Sequence, residues 1–373
     1  MRKLATLRRV SALNPIEGAD RIELAVVDGW QCVVKKGEFT VGDLGVYFEI
    51  DSFLPAEDER YAFLEPKFIT WEGKRGARIK TMKLKGQLSQ GLLLPLTLYP
   101  EVNELEDGVL GPITLSDLSD DTVSEIDLTE KLGIEKWEKP IPVSLRGVSR
   151  GNFPSFIPKT DQERIQNIER LVFDKYAEEV FQESTKMDGS SLTAYYIPPS
   201  SKYFATAAKP DAEGNLPEFV AGVCSRNLDL VETEGNQFWK TAREEQVLEK
   251  LATLERAVAI QGELCGSGIQ SNFEGFPEGY YGFYVYDIFD IENQEYLRPS
   301  EVEHIVRELG LKHVPVTSYF KLSSIAKNAK DLLARAEGQG INGRPREGVV
   351  YKHADSGFSF KAISDSYLLK HGE

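Results

Sequence analysis

The chain has 373 residues, 41% of them apolar or aromatic and 28% charged, with a formal net charge of -15. That is enough chain for two domains with substantial cores, and the composition is that of an ordinary globular protein. So acidic a balance argues against a protein that coats itself in nucleic acid, and no apolar run is long enough to span a bilayer.

The first hundred residues read as short strands with turn punctuation. Ile22–Val27 alternates and turns at Asp28-Gly29, 30–34 returns, and 45–50, 77–85 and 90–95 continue the set. Such a string predicts a small barrel, and an oligonucleotide-binding (OB) barrel is the common choice. Lys67, Lys74, Arg75, Arg78, Lys80, Lys83 and Lys85 form a basic tract with Phe68 and Trp71 interleaved. Cations for phosphates and flat rings for bases are what a strand-tracking surface needs, although each side chain alone reads equally as a hairpin's solvent face. Acid then accumulates from Glu101 to Glu135, read as a solvated loop, and Pro140, Pro142, Gly147, Gly151 and Pro154 mark a connection. The expected domains are a barrel at 1–100, a linker at 101–157 and a second domain at 158–373.

The second domain opens with Pro158-Lys159-Thr160-Asp161, expected to start a helix with Thr160 or Asp161 as its N-cap. Lys186-Met187-Asp188-Gly189 follows a strand-like run and precedes another, 192–197, so Lys186 is expected at a strand end beside a tight turn that Gly189 permits. Taken alone, the motif reads equally as a solvated lysine in a hairpin. Further on come Ser225-Arg226-Asn227, a Gly-rich run from Gly262-Glu263-Leu264 to Gln270, and a strand at 282–289 with aromatics on both faces. Helical periodicity marks 244–258, 301–309 and 325–337, and the chain closes with Arg346-Glu347-Gly348-Val349-Val350 and Lys361. Cys32, Cys224 and Cys265 are too few and too widely spaced for a disulfide framework or a zinc site. With no apolar stretch after Met1-Arg2-Lys3-Leu4, no signal peptide is expected, and a cytoplasmic location fits.

This ordered series resembles the covalent nucleotidyltransferases, and within them an ATP-dependent RNA ligase of the RNA ligase 5-like family, whose catalytic domain is RNA ligase 2-like. The resemblance implies an α+β fold: an N-terminal OB-type β-barrel followed by an ATP-grasp-like antiparallel nucleotidyltransferase domain. It implies that Lys186 attacks the α-phosphorus of ATP to give lysyl-AMP, a role that suits an amine able to lose its proton and does not suit arginine. Arg226 is expected to reach the ribose and phosphates, Glu263 the ribose and Tyr286 the adenine, with Lys159 bordering the pocket. Asp188 and Glu347 are the expected ligands of a hydrated Mg²⁺ or Mn²⁺, and Lys361 the contact to the α-phosphate. Many relatives carry Lys-x-Lys at the last motif, whereas Ser359 and Ile363 flank Lys361 here. Either Lys361 works alone, or Lys352 or Lys370 assists.

The implied substrates are ATP and RNA with a nick or break, its strands held by Lys74, Arg75, Arg78, Lys80, Lys83 and Lys85. No membrane or protein partner is implied. Two alternatives stand beside this reading: a non-catalytic OB-containing nucleic-acid-binding protein, which predicts a damaged Lys186 motif, and a DNA ligase of unusual domain order. The intact motif disfavours the first. The second expects an OB domain after the last motif, where only 362–373 remain.

Overall fold

A computed structural model describes residues 3–102, 118–138, 149–210 and 213–371. They divide into two compact units: one built on Met1–Pro140 with Ile165–Glu169 and Leu368–Glu373, the other on Ile141–Arg164 and Arg170–Tyr367. Among the described residues no helix is long and apolar enough to cross a membrane.

The first unit is made of short antiparallel strands. Leu44–Phe48 pairs with Ala5–Arg9 on one side and Leu92–Pro95 on the other, and Ile22–Val27 sits between Ala12–Pro15 and Trp30–Lys35. The alternation of Trp30–Lys35 is as expected: Trp30, Cys32 and Val34 are buried, and Lys35 is exposed. The run at 77–85 is divided, its ends belonging to Lys74–Arg78 and Met82–Leu84. The expectation of a solvated segment fails at 118–138. Ser119 caps a helix at Asp120–Glu125, Val123, Leu128, Leu132 and Ile134 are buried in the core, and Glu135–Lys136 pairs with Ser52–Pro55. Charge dominated that sequence, but one apolar residue every few positions was enough to anchor it.

Among its described residues the second unit holds two sheets. The larger runs Ser149–Asn152, Leu228–Leu230, Val220–Cys224, Ser190–Ile197, Val258–Gly266, Tyr281–Asp290 and Glu295–Tyr296, with Lys312–His313 parallel to Tyr281–Asp290. The smaller runs Glu163–Arg164, Ser359–Ile363, Gly348–His353, Val180–Lys186 and Val316–Lys321. The main core lies on one face of the larger sheet, where Ile260, Leu264, Phe283 and Val285 meet Phe238, Trp239, Leu251, Val302 and Val306 from the helices. The opposite face is apolar at one end, where Tyr195, Ile197, Ala259 and Phe289 cluster with Ile157, and polar toward Glu263.

Val180–Lys186 is buried from Phe181 to Thr185 although mostly polar, and Gln182 and Glu183 are partnered. Gln182 donates to Glu303 at 2.6 Å, while Glu183 accepts from Tyr351 at 2.8 Å and from Arg335 at 2.5 Å. Two helical readings are corrected. The 244–258 periodicity resolves into helices Gln237–Glu244 and Val247–Ala252 followed by a strand from Val258. Residues 158–162 form neither helix nor strand, and Glu163–Arg164 instead pairs parallel with Ser359–Ile363, so the helix begins only at Ile165. A local capping signal lost to a distant strand.

Candidate active site

Lys186 ends its strand opposite Gly348, which places Glu347 beside it: Lys186 Nζ lies 2.7 Å from Glu347 Oε1. Met187, Asp188 and Gly189 then carry the chain from the smaller sheet to the larger, where Ser190–Ile197 begins. This is a crossover between sheets and not the turn of a hairpin. Gly189 is required for space, since a Cβ there would lie 2.5 Å from the Leu264 carbonyl oxygen and 2.8 Å from Glu263 Cγ. Ser191 pairs with Glu263, so the crossover brings Glu263 against the lysine.

Electrostatics tie this group together. Burial by itself pushes the Lys186 ammonium toward losing its proton, but Glu347, Glu263 and Asp188 outweigh it and hold the lysine above its ordinary range. Glu263 is pushed up to about 8, first by burial and then by Glu347 and Asp188, with Lys186 and Arg226 opposing. Sequence reading missed a fourth carboxylate, Glu274. It is buried, its Oε1 accepts the Asp188 backbone N–H at 3.1 Å, its Oε2 has no hydrogen-bond partner, and burial lifts it to about 7. Nothing in Ser271-Asn272-Phe273-Glu274-Gly275 announces that role; only the fold brings it under the turn.

Tyr286 reaches this face through a bulge. Gln261 pairs with Asp287 but Gly262 pairs with Val285, so Tyr286 is an extra residue between them. Val285 and Ile288 enter the core, while Tyr286 and Asp287 both turn to the polar face. There the Tyr286 hydroxyl meets Thr160 Oγ1 at 3.0 Å, and Lys352 Nζ donates to Asp287 Oδ1 at 2.7 Å and to the Tyr286 carbonyl. Phe283 is core, and Tyr284 packs with Met187, Cys265, Phe276 and Val314. Lys352 is thus buried and committed to Asp287, which removes it as a partner of Lys361; Lys370 sits on the helix Asp365–His371.

Lys361 shares a face of the smaller sheet with Val350, its direct partner. Its Nζ lies 3.2 Å from Asp161 Oδ1, and Arg226 Nη2 lies 3.5 Å from Asp161 Oδ2. Lys159 Nζ donates to Asn227 Oδ1 at 2.8 Å. The expected caps are thus tied to the candidate site, Thr160 to Tyr286 and Asp161 to Lys361 and Arg226, and both also line a cavity with Tyr296, Leu297 and Phe358 that touches none of Lys186, Arg226, Glu263 or Lys361.

As a cation site, Asp188 and Glu347 offer the hard oxygen donors that Mg²⁺ and Mn²⁺ prefer, with Glu263 close by. Among the described residues no three His, Cys, Asp or Glu side chains converge as a ready-made cage. The donor set fits an ion that keeps most of its water.

In the first unit the basic tract is split. Arg78 is largely buried, 2.6 Å from Asp51 and 3.7 Å above the Trp137 ring, so it works inside the fold. Lys74 pairs with Glu135 at 2.5 Å, and Arg75 lies 3.6 Å from Glu65 and over Phe68. Trp71 is core, donating to the Glu138 carbonyl and packing on Phe53. Lys80, Lys83 and Lys85 are exposed, the last in the turn between Met82–Leu84 and Gln87–Ser89.

Comparison with known proteins fits this geometry. The profile of an OB-fold domain matches residues 4–96, and that of the RNA ligase family matches residues 179–363. The RNA ligase of Naegleria gruberi in a structure with pyrophosphate is 42% identical, covering 100% of this chain and 99% of that one, with a TM-score of 0.82. A lysine-to-alanine variant of that ligase with ATP and Mn gives 41%, 98%, 98% and 0.82, and a glutamate-to-alanine variant with AMP and Mn gives 41%, 98%, 98% and 0.81. No curated protein sequence matches the chain. With identity at this level over nearly its whole length, the chain belongs to the RNA ligase family, its ligase domain preceded in sequence by an OB-fold domain.

Proposed function

We propose that this RNA ligase is ATP-dependent and seals RNA 3′-hydroxyl and 5′-phosphate ends in three steps. The Lys186 amine attacks the α-phosphorus of ATP, a nitrogen–phosphorus bond forms, and pyrophosphate leaves with the broken bond's electrons. AMP then passes from Lys186 to the RNA 5′-phosphate, and the 3′-hydroxyl attacks that phosphate and expels AMP. The observation that carries this reading is the 2.7 Å pairing of Lys186 with Glu347 inside a group that includes Glu263 and Asp188. The ligase of Naegleria gruberi in complexes with ATP or AMP and Mn supports it.

In this reading Arg226 and Lys361 hold the phosphates, Glu263 the ribose, and Lys159 the mouth of the pocket. Tyr286 and Val350 remain partly exposed on strands that are otherwise buried there, which suits a flat base against Tyr286. Asp188 and Glu347 would hold Mg²⁺ or Mn²⁺, whose charge offsets that of the α-phosphate and opposes the proton on Lys186. Residues 158–373 would form the adenylyltransferase domain. The OB-fold domain would bind the RNA through its exposed lysines, Lys80, Lys83 and Lys85 foremost.

The test is incubation with α-labelled ATP and a divalent ion, followed by denaturing electrophoresis. Label is expected on the wild type and not on Lys186→Ala, and sealing of nicked RNA is expected to follow; folded wild-type protein that takes no label overturns the mechanism. Replacing Lys83 and Lys85 together by alanine is expected to lower sealing more than labelling, with a shallower salt dependence.

A further inference from the structure

We infer that Asp161 is a built-in competitor for the phosphate chain: its carboxylate bridges Lys361 and Arg226, and the phosphates of ATP or pyrophosphate must displace it to bind. The inference rests on the reading that these two cations hold phosphates.

The two cations come from different sheets, Lys361 from Ser359–Ile363 and Arg226 from the loop after Val220–Cys224. A single carboxylate spans them, with Oδ1 at 3.2 Å from the ammonium and Oδ2 at 3.5 Å from the guanidinium. A phosphate offers the same paired oxygens at the same span, so one anion can stand where the other stood. Both cannot remain, because a carboxylate against a phosphate on shared partners is a like-charge contact.

Exposure agrees with an exchangeable contact. The Asp161 side chain is 37% exposed and that of Arg226 42%, whereas that of Lys361 is only 13% exposed. Asp161 can therefore swing into water without a buried charge being left behind, and Arg226 can follow a ligand. Lys361 stays in place and meets whichever anion is present. Asp161 also lies in residues 158–162, which have no helical or strand hydrogen bonds to break.

The exchange works in both directions. It weakens the hold on ATP, and when pyrophosphate has been released from the α-phosphorus, the returning carboxylate takes over its cations. Asp161 would thus trade substrate affinity for product release.

Binding of inorganic pyrophosphate by calorimetry, and the KM for ATP in adenylylation, should be measured for wild type, Asp161→Asn, Asp161→Glu, Arg226→Ala and Lys361→Ala. Asp161→Asn is expected to tighten pyrophosphate by about tenfold and to lower the KM for ATP, with Asp161→Glu close to wild type. Damage to the fold would weaken binding, so the sign separates the two causes. If Arg226→Ala and Lys361→Ala weaken pyrophosphate while Asp161→Asn leaves it unchanged or weaker, the competitor is overturned and the phosphate assignment stands. If neither Arg226→Ala nor Lys361→Ala weakens it, the assignment falls and the competitor with it.

Discussion

Lys186 and Glu347 are joined twice, by a 2.7 Å contact between Nζ and Oε1 and by the backbone pairing of Lys186 with the next residue, Gly348. The sheet register therefore sets the distance between Lys186 and its carboxylate partner. With Asp188 and Glu263 added, the lysine keeps its proton above the ordinary value of ~10.4. Chelating the divalent ion is expected to abolish labelling by ATP, and raising the pH to about 10 should not restore it. Recovery of labelling in alkaline chelator would show that the carboxylates do not hold the proton.

Glu274 acts on the same turn through the Asp188 backbone N–H. Glu274→Ala is expected to slow adenylylation about tenfold with little change in the KM for ATP, because it strands a backbone donor worth about 1–3 kcal/mol. Glu274→Gln keeps an acceptor and should restore most of the rate. A KM effect equal to the rate effect, or no rescue by glutamine, would remove Glu274 from this role.

The Lys352–Asp287 pair joins the two sheets beneath Tyr286, with side chains only 8% and 12% exposed. Lys352→Met leaves a buried carboxylate without its cation, and a loss of about 3–5 kcal/mol is expected in denaturant unfolding. The double variant Lys352→Met with Asp287→Leu should recover part of it. A loss below about 1 kcal/mol would mean that water reaches the pair.

Gly348 separates Glu347 from the strand that faces Lys361. A Cβ there would fall 2.3 Å from the Ala362 carbonyl oxygen. Gly348→Ala should therefore lower the Tm, and it should impair adenylylation in protein that still folds, because the strands bearing Glu347 and Lys361 are forced apart. An unchanged Tm would show that the sheet absorbs a methyl group at this point.

His313 gives the fold a pH dependence outside the site. Burial depresses its imidazole below the ordinary ~6.5, the Val314 carbonyl accepting from Nδ1 only partly opposing this. The unfolded chain then binds a proton that the folded protein resists. Stability is complete above about pH 6.5 and is lost as the pH falls through that value toward the depressed one. His313→Gln should flatten the slope of unfolding free energy against pH in this window. A slope unchanged by the substitution would assign it to other groups.

The parts of the site carried by local pattern were legible in the sequence: Lys186 at a strand end, Glu263 in its Gly-rich run, Glu347 entering an apolar strand. Asp161 was not, because the residues it meets are far off; Lys361 is 200 positions away, and the local Thr-Asp pattern pointed to a helix cap. Glu274 failed for the same reason, its partner lying 86 positions earlier in the chain. In the first unit the charges of 118–138 hid four core residues, and Arg78 looked like a surface cation until Asp51 and Trp137 were placed beside it. Each miss is a tertiary contact overriding a pattern that was locally well formed.

The bulge at Tyr286 bears on how this chain can change in length. Tyr281–Asp290 carries one residue more than its neighbour needs between the partners of Gln261 and Gly262. Deleting Tyr284 or Val285 would restore plain alternation and set Tyr286 and Asp287 on opposite faces, one of them in the apolar core. An added residue would turn the far half of the strand over in the same way. The strand is therefore constrained in its residue count as well as in its side chains.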